Sequence, residues 1–138
     1  AFYQGDWFEG RQHGQGRQQW TNGSKYEGSY KRGKKEGQGI FLWANGDIYE
    51  GEFHNNKMEG YGMFKWKDGR RFEGEWKDGR IHGEGVYEWP DGGRFVGEYY
   101  DETKEGYGEI EYSNGERSMT PPRGSAREST RTSRISVY

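Results

Sequence analysis

Residues 26–48 read YEGSYKRGKKEGQGIFLWANGDI, and residues 49–71 follow at once with YEGEFHNNKMEGYGMFKWKDGRR. The word returns at 72–94 as FEGEWKDGRIHGEGVYEWPDGGR, and looser copies occupy 3–25 and 95–117. No insertion interrupts the register. A period in the range of roughly 20–50 residues marks a unit too small to bury its own apolar face, which becomes stable by stacking on copies of itself. The expected product is an elongated surface rather than a cleft.

Columns counted from the first aromatic of each copy define the unit. Column three is always glycine (Gly5, Gly28, Gly51, Gly74, Gly97), as are columns twelve and fourteen, for example Gly37 with Gly39. Column five is always aromatic (Trp7, Tyr30, Phe53, Trp76, Tyr99), and so is column eighteen (Trp20, Trp43, Trp66, Trp89, Tyr112). Columns one, three and five alternate, as do fourteen, sixteen and eighteen, and a period of two is the mark of strands with one buried face. Each copy is therefore two strands. Glycines inside strands weaken them unless something needs bare backbone, so aromatic rings are expected to lie over the glycine columns of facing or neighbouring strands. Asn/Asp-Gly pairs at columns twenty and twenty-one, from Asn22-Gly23 to Asn114-Gly115, supply the positive φ of tight hairpin turns. A second turn falls near columns seven to nine, as at Asp78-Gly79, and loosens to Asn55-Asn56 and Asp101-Glu102 in two copies.

Composition alone points elsewhere. Leu, Ile, Val and Phe are 16 of 138 residues, below the roughly 20% under which disorder becomes the default. The missing aliphatics return as 6 Trp, 11 Tyr and 7 Phe, and each ring buries about 150–250 Å², enough to cover a thin sheet. Absence of cysteine excludes disulfides and thiolate metal sites and is compatible with a reducing compartment. No apolar run approaches the roughly 18 residues of a membrane-spanning helix. With the register already under way at Tyr3, the chain reads as a piece of a longer protein, with further repeats expected upstream.

Tyr-Glu-Gly-x-aromatic at Tyr26, Tyr49 and Phe72, then Gly-x-Gly-x-aromatic, then Asn/Asp-Gly, resembles the MORN repeat (membrane occupation and recognition nexus) over residues 3 to 117. Departures are mild: Val96 replaces the acid of column two, and Arg17 and Gln18 weaken the second strand of the first copy. The resemblance implies an all-β, elongated, single-layer twisted array of antiparallel hairpins with a groove along one face. It also implies cytoskeletal, ciliary-axonemal or membrane-contact assemblies in the cytoplasm, and the near-seamless array is similar to those of radial-spoke head proteins. Residues 1–117 form the five-copy array (3–25, 26–48, 49–71, 72–94, 95–117), and 118–138 form a Ser/Thr/Arg-rich tail, flexible or docked on a partner surface.

The Gly-x-Gly pairs are not phosphate loops, because they lie inside strands and no third glycine follows at the required spacing. His13 and His82 share column eleven with three glutamates, but stacked copies hold that column about 10 Å apart, too far for one metal ion. Neighbouring acids such as Glu73 and Glu75 share an open face, where nothing desolvates them enough to divide acid and base roles. No catalytic residue, metal ligand or cofactor is assigned, and the array is expected not to be an enzyme. The expected partner-binding groove is lined by Tyr30, Phe53, Trp76, Tyr99, Trp66 and Trp89, rings that a thin sheet leaves partly open.

Charge adds a gradient. The first three copies each carry +1, the fourth −3 and the fifth −5, while the tail adds +3 to restore the total of −2. Glu88, Glu98, Glu105, Glu109 and Glu111 form the expected acidic docking surface. Nucleic acid and anionic lipid are poor partners for an acidic array, although the mildly basic first three copies, with Lys31, Arg32, Lys34, Lys35, Lys65 and Lys67, keep a phospholipid-binding module as an alternative. A regulatory segment of a larger enzyme is the second alternative. The leading expectation is a scaffold that binds an extended peptide or a neighbouring subunit. Arg123, Arg127, Arg131 and Arg134 of the tail complement the acidic end, with Ser133 and Ser136 as phosphorylation sites able to release it.

Overall fold

The computed structural model describes residues 1–99 and 107–119. Asp101-Glu102, Glu105, Ser133, Ser136 and the tail arginines lie outside the described residues. Among the described residues eleven strands follow one another in a single antiparallel sheet in chain order. They are β1 (Phe2–Phe8), β2 (Arg11–Gln19), β3 (Lys25–Lys31), β4 (Lys34–Leu42), β5 (Ile48–His54), β6 (Lys57–Lys65), β7 (Arg71–Lys77), β8 (Arg80–Glu88), β9 (Arg94–Tyr99), β10 (Tyr107–Glu111) and β11 (Arg117–Met119). At about 4.7–4.9 Å per strand the sheet is a ribbon on the order of 50 Å long.

The two turns of each copy differ in chemistry. The turn joining β1 to β2 has Glu9 and Gly10 both at positive φ, and Arg32-Gly33, Asn55-Asn56 and Asp78-Gly79 repeat this in the next three hairpins. Two left-handed central residues are the signature of a type I′ hairpin. At the Asn/Asp-Gly turns only the glycine is left-handed, as at Gly23 and Gly46. There the Trp20 carbonyl accepts from Gly23 N at 3.0 Å, Trp20 N donates to the Ser24 carbonyl at 2.9 Å, and Asn22 Oδ1 accepts from Ser24 N at 2.9 Å. The asparagine thus serves as a side-chain acceptor, and the loop is a three-residue turn ending in a left-handed glycine.

Rings lie over glycines, as expected. A Cβ on Gly39 would fall 2.3 Å from the Tyr26 hydroxyl, and one on Gly62 or Gly85 would collide in the same way with Tyr49 or Phe72. The column-one ring therefore lies flat over columns three and fourteen, and its hydroxyl reaches the backbone: Tyr26 donates to the Ser29 carbonyl at 2.9 Å and Tyr49 to the Glu52 carbonyl at 2.8 Å.

Column twelve has a different reason for glycine. Register slips within the first four hairpins between columns three and five, as between Gly51 and Phe53, and Gly60 opposite takes φ +96. The slip leaves an amide without a ladder partner, and the column-four acid takes it: Glu52 accepts from Tyr61 N at 2.9 Å, Glu75 from Glu84 N at 3.0 Å and Asp6 from Gln15 N at 3.0 Å. A bulge of this kind re-aims the strand and sharpens its twist.

Candidate functional site

Two chains of rings run along one face of the ribbon. In the first, columns one and five alternate: Trp7, Tyr3, Tyr30, Tyr26, Phe53, Tyr49, Trp76, Phe72, Tyr99 and Phe95 meet edge to face at 4.9–5.6 Å. Each column-five ring touches the column-one ring of its own copy and, from Tyr30 onward, that of the copy before. Such pairs contribute about 0.5–1.5 kcal/mol each beyond burial. Tyr30, Phe53, Trp76 and Tyr99 are consequently only 0–5% exposed. Trp76 also donates its indole N–H to the Gly62 carbonyl at 3.0 Å. These four rings, expected to line a groove, are instead its buried floor, because each repeat supplies the cover its neighbour lacks.

The second chain alternates columns sixteen and eighteen. Trp20, Phe41, Trp43, Phe64, Trp66, Tyr87 and Trp89 are linked at 5.4, 4.5, 5.1, 4.6, 5.7 and 5.0 Å in turn. Trp20, Trp43, Trp89 and Tyr112 are half-buried against the core. Trp66 is the exception at 5%, with the Arg70 guanidinium 4.8 Å over its ring. Arg70 is held there by Asp68 at 2.8 Å and by the Tyr87 hydroxyl at 3.2 Å. Of the six rings expected to line the groove, Trp89 alone keeps substantial ring surface accessible. Trp20, Trp43 and Tyr112 join it, and the shared column eighteen was the signal that placed them together.

These rings stand on rigid ground. Every column-eighteen residue closes its hairpin turn through its own N–H and C=O, as Trp43 does with Asp47 and Gly46. Successive turns are clamped by side chains, Ser24 Oγ accepting from Ala44 N at 3.2 Å and Asp47 Oδ1 from Lys67 N at 2.8 Å. At the head of the column, Lys35 Nζ lies 5.3 Å from the Trp20 ring and 5.6 Å from those of Tyr26 and Phe41. Burial among these rings holds its ammonium pKa below the usual lysine value.

The acids lie on the other face. Glu88, Glu98, Glu109 and Glu111 alternate in register with the ring columns and point away from them, so rings and acids expected in one groove are separated by the thickness of the sheet. Arg71 pairs with Glu88 at 3.4 Å, and Glu111 is engaged by Arg94 at 3.0 Å and Arg117 at 3.7 Å. Along the middle of this outer face one register row reads Glu27, Ile40, Glu50, Met63, Glu73, Val86, Val96 and Glu109. At its N-terminal end Phe2, Arg17, Lys25, Glu27, Ile40 and Leu42 border an open depression of about 510 Å³. Among the described residues no three His, Asp or Glu side chains converge as a metal site, and no helix is long and apolar enough to cross a membrane.

The MORN repeat family matches residues 3–25, 26–48, 49–70, 72–94 and 95–117. The chain belongs to the MORN-repeat family. No curated protein matches this MORN array in sequence. Among solved structures, it is similar to the TCP domain of SAS-4 (dCPAP) from Drosophila melanogaster, determined in complex with a proline-rich motif of Ana2 (dSTIL), with a TM-score of 0.54 and 20% identity. The similarity covers 79% of this chain and 60% of that one, so the chain spans under two thirds of its structural neighbour. At that identity the likeness is one of fold.

Proposed function

We propose that this MORN array is a non-catalytic scaffold that binds an extended peptide or the edge of a neighbouring subunit across the column-eighteen rings. One observation carries the reading: four half-buried aromatic side chains, Trp20, Trp43, Trp89 and Tyr112, occupy the same column in four of the five repeats, each on a hydrogen-bonded turn along one side of the ribbon. Amphipathic rings ordered in advance give contact area at little entropic cost, which is what interface anchors require. The neighbouring structure's complex with a proline-rich motif supports peptide binding as a use of such a fold. A cytoplasmic, cytoskeletal or ciliary assembly is the setting we infer, on the resemblance to radial-spoke heads. Anionic lipid ranks lower, since Lys35, one of the basic residues of the second copy, turns inward onto rings. Panning the full chain against a random peptide library, beside sedimentation with vesicles containing phosphatidylserine, tests the reading. Saturable peptide binding without vesicle binding is expected. Salt-sensitive vesicle binding with no peptide recovered would overturn it.

A further inference from the structure

Resting on that peptide-binding reading, we propose that column eighteen is a ladder for a proline-rich peptide in the polyproline II conformation, one three-residue turn per repeat. Consecutive tryptophans are joined through a single intervening ring, at 5.4 and 4.5 Å from Trp20 to Trp43 and 5.1 and 4.6 Å from Trp43 to Trp66. Their centres are therefore no more than about 10 Å apart, as two strand spacings of about 4.7–4.9 Å also require. A polyproline II helix rises about 3.1 Å per residue and returns to the same face every third residue, after about 9.3 Å. An extended strand returns after about 6.7 Å and falls out of step at the second rung. An α-helix needs seven residues and about 10.5 Å, which overshoots these two rung spacings and accumulates along the ladder. Polyproline II has no internal hydrogen bonds to break, so it can follow the twist of the ribbon. Proline rings on aromatic faces are its usual mode of recognition.

The ladder has one blocked rung. Arg70 covers Trp66, whereas the same column in the other copies holds Ser24, Asp47, Gly93 and Glu116, none a cation. A peptide along the column must displace Arg70, so shortening that side chain opens a site instead of removing one. The probe is an oligoproline of about 15 residues, five polyproline II turns, titrated into the full chain while tryptophan fluorescence is read, with a Gly-Ser peptide of equal length as control. Saturable binding of oligoproline alone is expected. Arg70→Ser should tighten it by about two- to tenfold, the equivalent of one added ring contact, and Trp89→Leu should weaken it by a similar factor. Binding no stronger than the Gly-Ser control, or affinities indifferent to Arg70→Ser, would overturn the proposal. The peptide library separates this failure from that of the wider reading. Binders with proline at every third position support the ladder, binders without that spacing sink it while leaving peptide recognition standing, and an empty selection sinks both.

Discussion

The two ring chains are built from the same residue types at the same pitch on the same face, yet column five from Tyr30 onward is core while column eighteen, Trp66 apart, is half-exposed. Trp76 and Trp43 differ in what lies around them. Trp76 has Tyr49 of the preceding copy on one side and Phe72 of its own on the other, and it bonds the Gly62 carbonyl. Trp43 stands at a turn, packed on Phe41 and Phe64. Position relative to the glycine columns and the neighbouring repeat, rather than side-chain chemistry, decides which ring is buried. Trp7 shows the same within the first chain: it shares the column of Trp76, packs on the Tyr3 ring of its own copy without the second ring that Tyr49 gives Trp76, and is 59% exposed against 3%.

The comparison breaks most visibly under truncation. Trp76→Ala should cost about 3–5 kcal/mol in urea unfolding, since it empties a closed site and strands a carbonyl. Trp43→Ala, at a half-buried turn, should cost less than half as much, and equal losses would erase the distinction between the chains. A second test is Gly85→Ala, which drives a methyl to 2.3 Å from Phe72 Cζ and should destabilise by about 1–3 kcal/mol. Gly92→Ala meets no atom within 4 Å and should cost about 1 kcal/mol, through its φ of +97 alone.

Alkaline titration sharpens the buried side. Burial raises the phenol pKa of Tyr26, Tyr30 and Tyr49 above the ordinary tyrosine value, with the nearby Tyr26 and Tyr3 phenols adding to the rise at Tyr30 and the Glu52 carboxylate to that at Tyr49. The folded chain therefore keeps protons that the unfolded chain releases. Stability is fully present below pH about 10 and falls as pH rises through the raised folded values, by about 1.4 kcal/mol per pH unit for each such phenol. The share of the phenolate absorbance that belongs to these three buried tyrosines should appear cooperatively with unfolding, after the exposed tyrosines such as Tyr61 have ionised. The smallest effect concerns Lys35, whose column holds Met58 and Ile81 in the next two copies. Lys35→Met should stabilise by about 0.5–1 kcal/mol. Because burial lowers the folded ammonium pKa, this advantage should shrink as pH rises through that lowered value toward 10.5.

The hairpin array, its strand order and the rings over glycine were legible because period two and a fixed repeat leave little freedom. The closure of column five was not legible, because its cover comes from the neighbouring copy and from ring orientation, neither of which is written in one repeat. The split of rings and acids onto opposite faces follows from column parity, odd positions against even within the first strand, and was available to a stricter count. The acids of column four looked like free surface charge. Asp6, Glu52 and Glu75 in fact close the bulge that column-twelve glycine opens, a pairing between strands that a column list does not reveal.

The division of labour between the two chains is tested most directly by following the indole N–H resonances of the full chain as oligoproline is added. Trp20, Trp43 and Trp89 should shift together and saturate at one concentration, while Trp76 stays fixed and slow to exchange. Movement of Trp76 with the rest, or shifts confined to outer-face amides at Ile40, Met63 and Val86 while the column-eighteen indoles stay still, would contradict the account.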